Sequence, residues 1–485
     1  MKQSFFRGLR RAGFAATAVA LCGLGGCMVG PHYHAPVTRM PGAFPVRGRP
    51  TASGHGKTLP GRISSVTTGA AHLARWWKSF HDPELDSLIR RAVRANLSVR
   101  IAASRIRQEL AIRGITAADL GPFVNASGAY SRSQFAGSSR QNNSYQSGLN
   151  GTWILDVFGG VRRSVQAATD NVEATVEDRR FTLITVMAQV ASDYILLRSA
   201  QQQIAVLRQN LAAQRNTVAL TERLFHGGFS AALNVANARA QEASTESQLP
   251  VLRVQEQQDI YALSVLLDRQ PTALVKELTP VKLIPAVPPT VPIGLPAQLL
   301  RRRPDIRASE RQLAAANAEI GVAVASLYPR FVINGNVGYS AADAAKWFDI
   351  NSVSWGIGPN VNWAIFNSGQ IHSEIRQDQE LRYQAYLTYK QTVLTALEEV
   401  DNALVAYRQE QAHRRLLEIA VVQNQKALKI SNVLYSNGLT TFLNVLQAQG
   451  ALYATQSALV QSNATLATDL IALYESLGGG WQVSR

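Results

Sequence analysis

Few side chains in this sequence have the types and spacing that catalysis or metal binding requires. The 485 residues include two cysteines and eight histidines, and only His32 and His34 lie close together, in a proline-rich N-terminal stretch. The sequence has no H-E-x-x-H metal motif, no G-x-S-x-G nucleophile motif and no phosphate-binding loop. We therefore expect no enzyme activity, no metal site and no cofactor, and we interpret the two neighbouring histidines as solvated.

One cysteine, Cys27, has the sequence context for covalent lipid attachment. Four basic residues and no acid precede the apolar stretch 14–24, which is too short to span a bilayer. This pattern predicts a cleaved signal peptide over residues 1–26. The stretch closes with Leu24-Gly25-Gly26-Cys27, which resembles the bacterial lipobox. We expect acyl chains on Cys27, the alternative being an ordinary signal followed by an incidental cysteine.

The charge of the chain bears on its partners. The formal net charge is +16, and removal of the predicted signal leaves +12. A basic surplus can indicate nucleic-acid binding, but the longest basic run, Arg301-Arg302-Arg303, has no aromatic residues interleaved. Arginines scattered over solvated helix faces explain the charge better. We therefore predict no nucleic-acid partner.

Prolines divide the chain into two similar halves. They cluster in a predicted extended N-terminal segment, 27–81, and in a predicted linker, 271–304. The tracts between them resemble each other at a shift near 210 residues, so that Trp153 corresponds to Trp363 and 228–235 to 438–445. This predicts an internal two-fold repeat. We place repeat 1 at 82–270, repeat 2 at 305–477 and a C-terminal tail at 478–485.

Each repeat contains two segments in which apolar and polar residues alternate. The apolar positions include Trp and Tyr, and the positions between them are mainly Gly, Ser and Asn. Alternation over about ten residues predicts transmembrane β-strands, with apolar residues towards lipid and polar residues towards a lumen. A soluble sandwich is the alternative, but its wet face would usually carry Lys, Glu and Thr. The predicted strands begin at Val124, Tyr145, Phe331 and Val353.

Two proline-free tracts, 160–225 and 369–435, predict unusually long helices. At 1.5 Å per residue, each would measure roughly 100 Å. Apolar residues recur at alternating spacings of four and three, which favours coiled-coil-like packing of neighbouring helices. Glycines then end each helix, and a return helix of about 35 residues follows. We expect Pro250 to kink the first return helix.

Four strands cannot close a barrel by themselves. An open sheet edge in lipid leaves backbone groups unpaired, at a cost of several kcal/mol each. Eight strands are about the practical minimum for closure, so other copies of the chain must complete a ring. These patterns predict a mainly α protein with a transmembrane β-barrel, continued by long helices. They leave the number of copies open.

The sequence also resembles the outer membrane factor, or TolC-like, family in its lipoprotein efflux branch. The resemblance runs through the mature chain from end to end, and its force lies in the order of several individually weak motifs. The motifs are Cys27-Met28-Val29-Gly30-Pro31-His32-Tyr33, Trp76-Trp77, Asp82-Pro83-Glu84-Leu85, Trp153-Ile154-Leu155-Asp156-Val157-Phe158-Gly159-Gly160, Leu299-Leu300-Arg301-Arg302-Arg303-Pro304-Asp305-Ile306, Ala314-Ala315-Ala316-Asn317-Ala318-Glu319-Ile320-Gly321 and Leu477-Gly478-Gly479-Gly480-Trp481.

The resemblance implies a homotrimer with a twelve-stranded barrel in the outer membrane and a helical tunnel in the periplasm. It implies an exit duct of a tripartite efflux system that passes small toxic compounds or drugs. The partners implied are a periplasmic adaptor protein, an inner-membrane transporter and outer-membrane lipid. A duct for type I protein secretion has the same architecture and stays an alternative. A passive lipoprotein or adhesin would explain the anchor but not the strands and long helices.

The resemblance also points to functional positions at the helical turns. It implies that the turns at Gly227, Gly228, Asn437, Gly438 and Thr440 form the periplasmic tip, where the adaptor docks. In well-known relatives, acidic residues just after the second turn ring a constriction. The corresponding residues here are neutral amides, Asn444 and Gln447, with Asn234 and Asn237 in repeat 1. Amides can form hydrogen bonds across an aperture but create no negative field; alternatively, they only satisfy local helix packing.

Overall fold

A computed structural model describes residues 28–44, 65–67, 73–134, 136–137 and 141–484. These residues form two compact units. The first consists of 28–38, Ser104–Val176 and Arg307–Gln391; the second contains 73–103, Glu177–Ile306 and 392–484, with the short stretches 39–44 and 65–67. The predicted signal peptide and Cys27 lie outside the described residues, so lipid attachment stays a prediction.

The same order of elements occurs twice in the chain. A helix, two strands, a long helix and a return helix follow one another in 97–266 and again in 304–476. The helices of the described residues are α1 (Pro83–Ala95), α2 (Leu97–Ala118), α3 (Gly160–His226), α4 (Ala232–Glu246), α5 (Gln248–Leu266), α6 (Val275–Leu278), α7 (Leu299–Arg302), α8 (Pro304–Ala325), α9 (Gln370–Ser436) and α10 (Phe442–Ser476). The strands are β1 (Ser65–Thr67), β2 (Phe123–Gln134), β3 (Gln141–Leu155), β4 (Thr290–Pro292), β5 (Arg330–Ala341) and β6 (Val353–Asn362).

The first unit contains a four-stranded antiparallel sheet with the strand order β2-β3-β5-β6. The central pairing, β3 with β5, joins the two halves of the chain from Tyr145↔Ala341 to Leu155↔Phe331. All four predicted strands are confirmed, and the fold is mainly α with one sheet of this kind. Within the described part of one chain, the outer edges of β2 and β6 pair with no other strand.

The two long helices, α3 and α9, each contain 67 residues. Glycines with positive φ immediately precede both, Gly159 before α3 and Gly369 before α9 (φ +78° and +82°), a conformation that glycine adopts without strain. The Asp156 carboxylate accepts hydrogen bonds from two backbone amides in the first turn of α3, at 3.0 and 2.9 Å. It therefore satisfies donors that would otherwise lack partners. One apolar stretch of α3 could cross a membrane by length and composition, but 61% of it is buried inside the molecule, as in any core helix.

The core of the second unit lies along these helices. The predicted apolar stripe of α3, including Val190, Tyr194 and Leu197, is buried. The stripe of α9 is buried as well, except for the partly exposed Leu397. The ring of Trp76, which precedes α1, stacks on Tyr474 at 5.4 Å. The end of the N-terminal segment is therefore part of the core.

The proline-containing segments are more structured than simple connections. The first return helix is broken at Ser247, between α4 and α5, and is not kinked at Pro250 itself. The reason is that a proline ring clashes with the carbonyl four residues earlier, here that of Glu246. Segment 271–304 is folded into short helices and β4, with Leu278 buried. Strand β4 pairs in parallel with β1, a pairing that no sequence pattern had predicted.

Candidate functional site

The register of the sheet brings the apolar positions of all four strands onto one face. Leu149 pairs with Val337, and Val337 pairs with Trp355. At the next row, Gly151 pairs with Gly335, which pairs with Ile357. Trp355 is 75% exposed. An exposed face of this composition suits contact with lipid far better than contact with water.

The opposite face is polar and uncharged along most of its length. Asn150 lies between Asn125 and Asn336 in the register. Its side-chain amide donates a hydrogen bond to the Ser127 hydroxyl at 2.9 Å. Such a row of amides and hydroxyls suits a water-filled lumen. The alternation predicted in each strand therefore gives one apolar and one polar face that run across the sheet.

Two tryptophans join the sheet to the preceding helices in the same way in both halves of the chain. The Trp153 indole donates a hydrogen bond to the Leu120 carbonyl at 2.9 Å. The Trp363 indole donates one to the Leu327 carbonyl, also at 2.9 Å. Trp153 lies on the apolar face and Trp363 directly follows β6. Both are located where strands meet helices, and an amphipathic ring with a fixed N–H group suits a membrane boundary.

The first residues after Cys27 form an extended strap along the first unit. The buried Arg163 guanidinium donates hydrogen bonds to the Val29 and Gly30 carbonyls, at 3.0 and 3.2 Å. Gly30 (φ +86°) passes so close to Gly321 that a Cβ on Gly30 would lie 2.5 Å from the Gly321 Cα atom. The Val29 amide also bonds the Phe158 carbonyl at 3.1 Å. Three of the sequence motifs, those in 28–33, 153–160 and 314–321, therefore meet in one place.

The strap continues to a charged cluster on α8. The Tyr33 hydroxyl donates a hydrogen bond to the Glu310 carboxylate, which also bonds the Arg311 guanidinium. Burial alone would raise the pKa of Glu310, but the bonds from Arg311 and Tyr33 outweigh it, so the pKa lies below its usual value. The Arg311 guanidinium also lies over the Tyr33 ring at 5.7 Å. Residues 28–33 are thus held along their whole length.

The two predicted tip turns have the same backbone geometry. Gly228 and Gly438 have φ values of +80° and +70°. After α3, the Phe229 amide bonds the Leu224 carbonyl at 2.8 Å; after α9, the Leu439 amide bonds the Leu434 carbonyl at 2.9 Å. This six-residue closure with a left-handed glycine is a Schellman motif. The glycines are therefore required by the turn itself, and Asn437 adds a side-chain bond to the Val433 carbonyl at 2.8 Å.

The candidate gate amides follow these turns and are partly used locally. The Asn444 amide donates to the Thr440 hydroxyl at 2.7 Å, and the Asn234 amide donates to the Ser230 hydroxyl at 3.0 Å. Gln447 and Asn237 are exposed. Packing brings the two tips together, because Ala238 lies in one apolar cluster with Val218, Phe442 and Val445. The four amides are therefore close to a shared tip core, and two of them also brace the start of their own helix.

The two turns also present exposed apolar residues that none of the sequence motifs above had indicated. Phe229 is 85% exposed and its counterpart Leu439 is 73% exposed. Leu233 and Leu443, one turn into the following helices, are exposed as well. The signal was available, because these residues correspond to each other in the repeat at the shift of 210. Phe229 and Leu439 each follow a glycine of the turn, and neither is buried in a core. Exposed apolar residues at corresponding positions of both repeats indicate a contact surface.

The tip of the second repeat is also free of negative charge. Between Glu418 and Asp469 the sequence contains no acidic residue, and its charged residues there are Lys426 and Lys429. Both lysines are exposed. This absence extends well beyond Asn444 and Gln447.

Among the residues that the structure describes, no group of three His, Cys, Asp or Glu side chains could hold a metal ion.

The comparison with known protein families decides what this arrangement is. Residues 88–268 and 295–479 match the sequence profile of the outer membrane efflux protein family. The chain belongs to this family. This outer membrane efflux protein is therefore a channel protein of the outer membrane, an exit duct for efflux, as the motifs led us to expect.

Similar proteins cover nearly the whole chain. Nodulation protein T of Rhizobium leguminosarum bv. trifolii is 30% identical over 464 residues, which are 94% of this chain and 95% of that protein. The pyoverdine export outer membrane protein OpmQ of Pseudomonas aeruginosa is 32% identical over 438 residues, 87% and 91% of the two chains. The solvent efflux pump outer membrane protein SrpC of Pseudomonas putida is 31% identical over 474 residues, 96% and 98%.

Solved structures of outer-membrane channels also resemble the efflux protein over nearly its whole length. The outer-membrane channel OprN superimposes with a TM-score of 0.83 at 32% identity, covering 94% of this chain and all of that one. The open state of the MtrE outer membrane channel of Neisseria gonorrhoeae gives a TM-score of 0.76 at 26% identity, covering 94% and 99%. Both agree with the fold described above.

Proposed function

We propose that this efflux protein works as a homotrimer whose three sheets close into one twelve-stranded barrel. The observation that carries the proposal is that one chain supplies four strands with an apolar face. Among the residues that the structure describes, no strand pairs with the outer edges of β2 and β6. Pairing β6 of one copy with β2 of the next leaves no edge in the hydrocarbon. The recurrent order of elements and the two matched segments support the internal two-fold repeat, so three chains supply six related halves.

The long helices of the three copies would continue this barrel as a periplasmic tunnel. Each copy contributes two helices of 67 residues with a return helix, and each of these helices is long enough to cross much of a periplasm. We propose acyl chains on Cys27 as a second membrane attachment. The position of Met28, the residue after Cys27, supports this, because a Cβ on Gly159 would lie 2.8 Å from the Met28 Cα atom. Gly159 itself follows β3 by only a few residues.

The tips are the proposed contact with the rest of the pump. Two matching turns, Gly227-Gly228 and Asn437-Gly438 with Thr440, present exposed apolar side chains beside a neutral gate. Such a surface suits burial against the apolar residues of a partner. We assign this partner as a periplasmic adaptor protein, which would join the duct to an inner-membrane transporter.

The proposed cargo is small toxic compounds or drugs. The relatives named for the export of pyoverdine and the efflux of solvent support a small-molecule cargo. The amide-lined face of the sheet is also suited to pass solutes without strong binding, because it offers neutral polar groups and little charge.

Two measurements test the proposed function. Native mass spectrometry of the detergent-purified protein should give a trimer, and a stable monomer would contradict closure by three copies. Deletion of the gene in its host should raise drug or solvent accumulation in the cells and lower resistance. Unchanged accumulation together with the loss of a secreted protein would instead identify a secretion duct.

A further inference from the structure

An aromatic cluster lies at the hairpin end of the sheet, where β2 turns into β3 and β5 continues to β6. The rings of Tyr130 and Tyr145 are 4.8 Å apart, and the Trp347 ring lies 5.5 Å from Tyr145. Trp347 stacks on Phe348 at 5.0 Å, and Phe348 meets the edge of Tyr339 at 5.5 Å. Three strand residues and two residues of the β5–β6 loop therefore form one continuous contact chain.

This cluster is on the apolar face and not over the lumen. Tyr130 pairs with Tyr145, and alternate positions along β3 lead from Tyr145 to Leu149 on the same face. Tyr339 is likewise two residues from Val337, the partner of Leu149. Because Trp347 and Phe348 contact Tyr145 and Tyr339, the loop folds back over the apolar face.

The cluster remains open to its surroundings in one chain. Phe348 is 70% exposed and Ile350 80% exposed, although the loop is ordered by two short helical turns. Aromatic residues exposed beside a lipid-facing surface are typical of the boundary between hydrocarbon and headgroups. The continuity of the cluster with the apolar face favours a lipid as its occupant.

Two cationic side chains beside the rings favour a lipid with an anionic headgroup. The four strands contain two charged residues, Arg132 and Arg330. Arg132 is two residues beyond Tyr130 and therefore lies on the apolar face, where its guanidinium also donates a hydrogen bond to the Gln141 side-chain oxygen. Lys346 comes directly before Trp347. The loop acids Asp343 and Asp349 each accept a backbone N–H bond, at 3.1 and 2.8 Å, and cap the two short turns. Arginine and lysine beside exposed rings suit a phosphate-bearing headgroup.

We propose that Tyr130, Arg132, Tyr145, Lys346, Trp347 and Phe348 form a docking surface for a phosphorylated, acylated lipid of the outer leaflet, with the chemistry of lipid A. The acyl chains lie against the rings, and the phosphates bind Arg132 and Lys346. The proposal rests on the proposed function, since only a closed barrel places this face in lipid.

The chain supplies a matched control for testing this surface. Arg330 is the other charged strand residue, but it pairs with Asn362 at the helix end and lies on the polar face. Purified trimer is titrated with lipid A and the bound lipid is counted by native mass spectrometry. We expect Arg132→Gln/Lys346→Gln to weaken binding about tenfold or more, since charge-assisted bonds to phosphate are lost. Arg330→Gln should bind as the wild type does, and Arg132→Lys should retain most of the affinity.

A second measurement checks the aromatic part of the surface. In vesicles containing lipids brominated on their acyl chains, Trp347→Phe should reduce the quenching of tryptophan fluorescence relative to the wild type. Equal quenching would overturn the placement of the loop on the lipid side.

The outcomes separate this inference from the proposed function. Conducting trimers whose lipid A binding is unaffected by Arg132→Gln/Lys346→Gln, or is equally weakened by Arg330→Gln, would overturn the docking surface alone. A double variant that dissociates into monomers would show that the next copy of the chain covers the surface, which also overturns it. A wild-type chain that neither trimerises nor conducts would overturn the proposed function and this surface with it.

Discussion

Replacing Arg163 by glutamine should release the N-terminal strap without disturbing the sheet. The Arg163 side chain is 1% exposed. Its guanidinium bonds the carbonyls of Val29 and Gly30, and a third bond goes to Gln166 on its own helix at 3.0 Å. The two strap bonds join residues more than 130 positions apart in the sequence. The strap is therefore held here by tertiary contacts and not by its neighbours in the chain.

The expected magnitude follows from these bonds. A hydrogen bond to a charged group contributes about 1.5–3 kcal/mol, so the two strap bonds together contribute about 3–6 kcal/mol. The shorter, neutral glutamine can retain part of one bond. A net loss of about 1.5–3 kcal/mol corresponds to a rise of roughly 10- to 150-fold in the population of the open strap.

Hydrogen exchange of the backbone amides in residues 28–38 measures this opening. In Arg163→Gln, exchange of the strap should accelerate by about that factor, while the strands of the sheet keep their protection. Arg113→Gln is the matched control, because the Arg113 guanidinium bonds the Thr169 hydroxyl on α3 at 2.9 Å and the variant removes the same charge from the same unit. Unchanged strap exchange in Arg163→Gln would refute the reasoning, and so would equal acceleration in both variants.

Three further predictions concern the anchor, the lipid face and the gate. Mass spectrometry of the purified N-terminal peptide should find acyl chains on Cys27; an unmodified N-terminus elsewhere would remove the lipoprotein assignment but not the barrel. Trp355→Asp should prevent barrel assembly, since a charge on the lipid face costs a few kcal/mol, whereas Asn336→Asp on the opposite face should still give trimers by native mass spectrometry. Multivalent cations added on the periplasmic side should block single-channel conductance weakly in the wild type and more strongly in Asn444→Asp/Gln447→Asp; equally tight block in both would contradict a neutral gate.

The sequence alone predicted the elements that depend on local periodicity. Alternating residues give a strand one apolar face whatever it pairs with, so the four strands from Val124, Tyr145, Phe331 and Val353 could be found without knowing the sheet order. The lack of proline over 160–225 and 369–435 likewise predicted both long helices to within a residue at each end. The tip glycines were visible because only glycine ends a helix in this way without strain.

Tertiary structure decided which distant residues meet. The pairing of β3 with β5, the Arg163 bonds to the strap and the fold of the loop around Trp347 all join positions that no periodic pattern relates. The candidate gate amides illustrate this difference between what the sequence and what the tertiary structure determine. The sequence located Asn444 by its distance from a turn, but its bond to Thr440 needed coordinates. A polar side chain on a helix can reach several possible hydrogen-bond partners. The net free energies of these bonds differ by only about 1 kcal/mol, so the packing around the side chain decides which bond forms.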